Sequence, residues 1–337
     1  MHELAAEVSQ LHQLAVDLIV VEHTHALLAP ALLDEPATMS GIAVAHSIFN
    51  ILCTAMLLPL GGQLEKLAVR LVPDGKGSAQ TTVELDERLL ATPSLALSRS
   101  RAVAREMAEC AVQSLCGALD SLAAYTPELA QRIREDEARC DRYEDSIGTY
   151  LVKLSTQKMG RAESEEATEL LKTIGDFERI SDHAVNVLES SEELREKGLS
   201  FSPAATEELS TLTAAVREIL SLALRAFEQR DAALASDVEP LEEVVDTLKE
   251  QLRTRHILRM QQGTCSIEAG FVLSDLLTDL ERTSDHCSNI AGCVIDAEQH
   301  NLNLHETLRE TRSENRTFRE KFRAYADKYR LAAPANS

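Results

Sequence analysis

DFERISDHAVN, residues 176–186, returns as DLERTSDHCSN at residues 279–289, so Glu178, Asp182 and Asn186 match Glu281, Asp285 and Asn289 at an offset of 103. Each copy follows a second acid pair. Glu137 and Asp141 lie 41 residues before Glu178 and Asp182, and Glu242 and Asp246 lie 39 residues before Glu281 and Asp285. The four pairs superpose at offsets of 103 to 105, and 105 also carries the capping residue Thr126 onto Asp231. Helix starts thus repeat together with the acids, which is what two copies of one supersecondary unit produce, here a unit of three helices.

Working outward, apolar residues recur at three and four spacing from about residue 88 to residue 298, broken by helix caps and not by strand signals. Thr126 before Pro127, Ser202 before Pro203 and Asp231 are such caps. The pattern predicts six long antiparallel helices at about 88–122, 127–155, 163–195, 203–229, 231–262 and 266–298. Composition agrees. Aromatics are 4% of the chain, tryptophan is absent, and Gly and Pro number only 13 and 9, too few turn and strand formers for a sheet protein. The fold class is all-α. His305 to Arg330 is charged and helix-prone and reads as a solvated tail helix, within a C-terminal stretch of 301–337.

An acid pair at i and i+4 occupies one helix face, and Asn186 and Asn289 extend that face to i+8. Two such faces on successive helices crowd carboxylates of one sign, and a cation relieves the repulsion. Carboxylate oxygens suit Mg²⁺, Mn²⁺ or iron, with zinc also possible. A single E-x3-D pair among 55 acids is ordinarily a solvated helix face, but four pairs in two matched sets point to metal. His183 and His286 sit one residue past the aspartates and point off the acid face, as structural groups or donors behind the ligands. Arg179 and Arg282 read as salt-bridge formers. Cys287 has Ala184 as its counterpart, so it reads as core.

The first 65 residues are different in kind, since no Lys or Arg precedes Lys66. Ile42 to Leu60 (IAVAHSIFNILCTAMLLPL) carries no formal charge over 19 residues, close to the roughly 20 that span a bilayer. It is a candidate membrane helix within a segment 1–72, with a buried core helix as the alternative. Lys66, Arg70 and Lys76 follow it, placing its C-terminal side in the cytoplasm by the positive-inside bias. Pro73 to Gln80 (PDGKGSAQ) marks a linker, taken as 73–84.

Several classes are excluded. With 34 basic against 55 acidic residues the formal charge is −21, which argues against nucleic acid as a partner. Seven cysteines without a CxxC spacing fit neither a disulfide framework nor a thiolate zinc site. A di-iron carboxylate enzyme needs paired Glu-x-x-His helices, and only Glu22 to His25 has that spacing. There is no GxSxG elbow, and PDGKGS lacks the spacing of a phosphate-binding loop. No enzymatic activity is expected.

DFERISDHAVN and DLERTSDHCSN, each preceded by an E-x3-D helix, resemble the PhoU domain, a tandem pair of three-helix bundles that binds metal through such motifs. The resemblance covers about residues 85–300, with repeat 1 at about 85–197 and repeat 2 at about 198–300. AVAHSIFN (43–50), LLPL, LDERLL and PSLAL (85–97) resemble the bacterial sodium/phosphate cotransporters that carry a PhoU-like domain after their last membrane helices. That family's Gln-Ser-Ser-Ser transport motif is missing from this chain. The resemblance implies metal ligation by Glu137, Asp141, Glu178, Asp182, Glu242, Asp246, Glu281 and Asp285. It further implies a regulatory or accessory role in phosphate transport, held at the inner membrane with the bundle on the cytoplasmic side, or else cytoplasmic. The implied partners are a transporter membrane core or related membrane subunit, phosphate met through the metal, and a second copy of the chain in a homodimer. A metal-free structural or adaptor bundle is the alternative.

Overall fold

The computed structural model describes residues 39–57, 85–299 and 316–332. Two compact units divide the chain, residues 1–81 and 82–337. Among the described residues of the first, α1 (Met39–Leu57) covers most of the expected membrane segment and exposes Ile48, Ile51 and Leu52. Among the described residues no helix is long and apolar enough to cross a membrane. Residues 58–84, which hold the end of that segment and the expected linker, lie outside the described residues.

The second unit is helical throughout its described length. A 3-10 turn (Glu87–Ala91) leads into α2 (Pro93–Ser121), α3 (Pro127–Ser155) and α4 (Arg161–Glu196). Then come α5 (Pro203–Gln229), a short α6 (Ala232–Ala235), α7 (Val238–Gln261), α8 (Ile267–Gln299) and α9 (Arg316–Lys328). Helices α2, α3 and α4 pack as one bundle, and α5, α7 and α8 as a second. The bundles meet through α4 against α8 and α2 against α5, so the repeat is built around one shared core. At that joint Phe177 and Phe227 meet edge to face, with ring centroids 5.1 Å apart.

Local chemistry sets the helix limits. Thr126 Oγ1 accepts from the Leu129 N–H at 3.2 Å, Ser202 Oγ from Ala205 at 3.3 Å, and Asp231 Oδ1 from Ala233 and Leu234 at 2.8 and 3.1 Å. At the other ends, α4 and α7 stop at Gly198 and Gly263, whose φ values of 61° and 71° cost a glycine little. In both, the next N–H turns back to a carbonyl of the last turn, Leu199 to Leu194 at 2.8 Å and Thr264 to Arg259 at 3.0 Å.

Three expectations need correction. The first helix starts at Pro93 and not at 88, because proline is accommodated only in a first turn and residues before it wind as 3-10. The helix expected over 231–262 breaks at Ser236 and Asp237: Pro240 lacks an N–H, and its ring would collide with the Ser236 carbonyl one turn back. The described part of the tail, residues 316–332, is not a solvated helix, and residues 300–315 lie outside the described residues. Phe318, Tyr329 and Leu331 are each only 8% exposed, and α9 packs on α7. Arg255 ties the end of this element down with a 2.8 Å bond to the Ala332 carbonyl.

Candidate metal centre

Helices α3 and α4 run side by side, and their polar faces bring Glu137 and Asp141 of α3 up to Asp182 of α4. One carboxylate oxygen from each lies within 4.8 Å of the others. Oxygens opposite each other on a small divalent cation are about 4.2 Å apart, twice a metal–oxygen length of about 2.1 Å, so small side-chain rotations close the set. Glu178 stands one turn before Asp182 and feels the same charges. The carboxyl pKa of Glu137 is raised by burial and then by Asp141 and Asp182. Asp141 is pushed up by loss of solvation and by Asp182 and Asp145. Glu178 is pushed up by burial, then by Asp182, with smaller contributions from Asp141 and Glu144. Neighbouring arginines, Arg142 beside Asp141 and Arg179 beside Glu178, offset this only in part. An all-oxygen set of this kind fits Mg²⁺, Mn²⁺ or Fe²⁺, and among the described residues it is the group of acids whose oxygens can share one ion.

Arg179 answers part of this charge from outside. Its guanidinium lies 3.0 Å from Asp182 and 3.4 Å from Glu178 but is largely exposed, so it screens the set without filling it.

The second repeat arranges its acids differently. Glu242 of α7 is buried, and a hydrogen bond links it to Asp285 of α8, whose pKa is raised by burial and then by Glu281 and Asp246. Lys249, one turn after Asp246, reaches across to α8 and places its Nζ 3.0 Å from Glu281. Lys249 and Glu281 are both about one-fifth exposed.

His183, His286, Asn186 and Asn289 belong to another constellation. His183 Nδ1 lies 2.9 Å from Asp279 Oδ1, and Asn186 Nδ2 donates to the same oxygen at 3.1 Å. The second repeat mirrors this: His286 Nδ1 lies 2.9 Å from Asp176 Oδ1, which Asn289 reaches at 3.2 Å. Both asparagines therefore leave the acid face on which their spacing had placed them. Eight residues of helix turn through about 80° beyond two full turns, enough to carry a side chain from the α3 side of α4 to its α8 side. Asp176 and Asp279 were not singled out in the sequence, although both open the repeated frame D-x-E-R-x-S-D-H-x-x-N. All seven cysteines are free thiols, and Cys287 and Ala184 are fully buried in equivalent places.

Tandem three-helix bundles with a group of carboxylates in the groove between two helices of the first repeat define the class, an all-helical domain duplicated in one chain. A profile of the PhoU domain matches residues 104–191 and again 209–294, more than half of the chain. The chain belongs to the PhoU domain family. It is 26% identical over 198 residues to the phosphate-specific transport system accessory protein PhoU homolog 1 of Thermotoga maritima, covering 58% of this chain and 84% of that one. To the PhoU homolog of Pseudomonas aeruginosa it is 29% identical over 168 residues, 50% of this chain and 69% of the relative.

The crystal structure of PhoU from Pseudomonas aeruginosa superposes with a TM-score of 0.58 at 25% identity, covering 61% of this chain and 98% of that one. A phosphate transport system regulatory protein PhoU from Streptococcus pneumoniae shares the fold, with a TM-score of 0.56 at 20% identity over 63% of this chain and 99% of that one. PhoU proteins are accessory and regulatory, not enzymes, which bears out the expectation of a chain without enzymatic activity.

Proposed function

We propose that this chain is an accessory regulator of a phosphate transport system, and that its first repeat holds a divalent or iron-type cation between α3 and α4. The observation that carries the reading is the convergence of Glu137, Asp141 and Asp182 to within 4.8 Å, flanked by Glu178, inside a PhoU domain. When bound, the cation supplies coordination positions for phosphate oxygens, giving a chain of charge −21 a way to meet an anion. The protein's own part is to fix the carboxylates on two packed helices and to hold those helices in register through the core below them.

The finer reading places the bundle beside the membrane core of a transporter, as in the cotransporter family that the segment around 43–97 resembles. The exposed Ile48, Ile51 and Leu52 of α1 favour an apolar partner for that segment. Phosphate uptake in cells lacking the chain, restored with the native form or with Glu137→Gln, Asp141→Asn and Asp182→Asn combined, tests the proposal. Native chain should restore the control of uptake by external phosphate and the triple variant should not. Identical uptake in all three strains would overturn it.

A further inference from the structure

The repeat offset of 105 that carries Glu137 onto Glu242 and Asp141 onto Asp246 carries Glu144 onto Lys249. The same position on the same face therefore has opposite charge in the two halves. In the first repeat Glu144 adds to the negative field that lifts Glu178. In the second, the Lys249 ammonium sits 3.0 Å from Glu281 and 4.0 Å from Glu250, on the flank where a cation would meet the α8 carboxylates.

We infer that the two acid sets are not equivalent: Lys249 closes the second with its own tethered charge, and the chain takes a divalent cation at the first-repeat set alone. The inference rests on the metal reading above and narrows it to one half of the duplication. Three observations meet in it. The set whose oxygens converge is the first. The second set spends one carboxylate on Lys249 and joins two others, Glu242 and Asp285, to each other. A divalent ion entering there must displace an ammonium held on a short, largely buried contact, whereas at the first set it meets carboxylates with the exposed Arg179 and Arg142 on their rim.

Equilibrium dialysis of the full chain against Mn²⁺, with total metal measured per chain, separates the possibilities. Asp141→Asn should cut bound Mn²⁺ about tenfold or more, since a carboxylate ligand is lost, while Asp246→Asn should leave it within error of the native value. Lys249→Glu, which copies the first repeat, should raise bound Mn²⁺ about twofold by opening the second set. A native chain that loses as much Mn²⁺ with Asp246→Asn as with Asp141→Asn overturns the inference and leaves the metal reading standing, as does a folded Lys249→Glu that binds no more than native. No Mn²⁺ on any form overturns both. Should Lys249→Glu fail to fold by circular dichroism, the two asparagine variants in the otherwise native chain decide.

Discussion

His183 and His286 lie ring against ring where the two repeats join, their centroids 5.7 Å apart and their planes tilted by 34°. Each donates from Nδ1 to an aspartate of the other repeat, His183 to Asp279 and His286 to Asp176, because an ionised carboxylate can only accept. The duplication thus closes on itself through two reciprocal clasps, with Asn186 and Asn289 completing them. Glu178 and Asp182, one face away on α4, lie toward α3 instead.

Breaking one clasp should therefore weaken the fold and spare the metal. Asp279→Ala leaves the buried His183 ring without its acceptor and returns the exposed Asn186 amide to water, a loss of about 1–3 kcal/mol. Asp176→Ala should cost about the same, by the symmetry of the joint. Urea denaturation measures the loss, and Mn²⁺ content per folded chain should be unchanged. A large fall in metal content with little change in stability would assign these aspartates to the ion instead.

Acidification supplies a second check. Glu137, Asp141 and Glu178 have folded pKa values above their ordinary ones, through desolvation first and neighbouring carboxylates second. The folded state then keeps protons that the unfolded state has released. Stability from these groups is fully present below the ordinary values of 3.8 and 4.5 and is lost as pH rises through the raised folded values. In chelator, Tm should rise as pH is lowered from neutral into that window, and bound metal should be displaced over the same range. A metal-free Tm that falls steadily from pH 7 downward would contradict the crowding of these acids.

Asp141→Asn probes the same crowding at constant pH. Removing one charge from a like-charged group relieves about 0.2–0.5 kcal/mol per neighbouring pair, so the metal-free variant should melt at or slightly above the native temperature. With Mn²⁺ present the order should reverse, because the native chain alone gains the stabilisation of a bound ligand. Thermal melts with and without metal read both signs.

The C-terminal element should behave as part of the bundle. Phe318→Ala removes a ring that is 8% exposed, and a loss of about 3 kcal/mol is expected. A comparable loss should follow deletion of residues 316–337, which also removes Tyr329 and Leu331 from the core and the 2.7 Å contact of Lys328 with Glu218. Equal Tm values for native and truncated chains would show the docking to be inconsequential.

What could be read from the sequence was mostly local. Thr126, Ser202 and Asp231 announce helix starts because a cap bonds to N–H groups two or three residues ahead. The E-x3-D pairs were legible because the repeat shows them twice. Pro240 carried the signal for the break before α7, but the apolar period runs on through it and hid the interruption. The clasps were not legible, since Asn186 and Asp279 are 93 residues apart and Asn289 and Asp176 are 113 apart, and only the packing of α4 on α8 brings them together. The tail misled for another reason: its many charges concealed Phe318, Tyr329 and Leu331, which lie on the one face it buries. Lys249 was visible all along as the residue that replaces Glu144, yet its reach to Glu281 depends on how α7 lies against α8.

Metal analysis of the purified full chain, native beside a variant combining Glu137→Gln, Asp141→Asn and Asp182→Asn, bears most directly on the proposal that a cation sits between α3 and α4. The native chain should retain a divalent or iron-type metal after desalting and the folded variant should retain almost none. Equal metal in both, or none in either after reconstitution with Mn²⁺ or Fe²⁺, would contradict it.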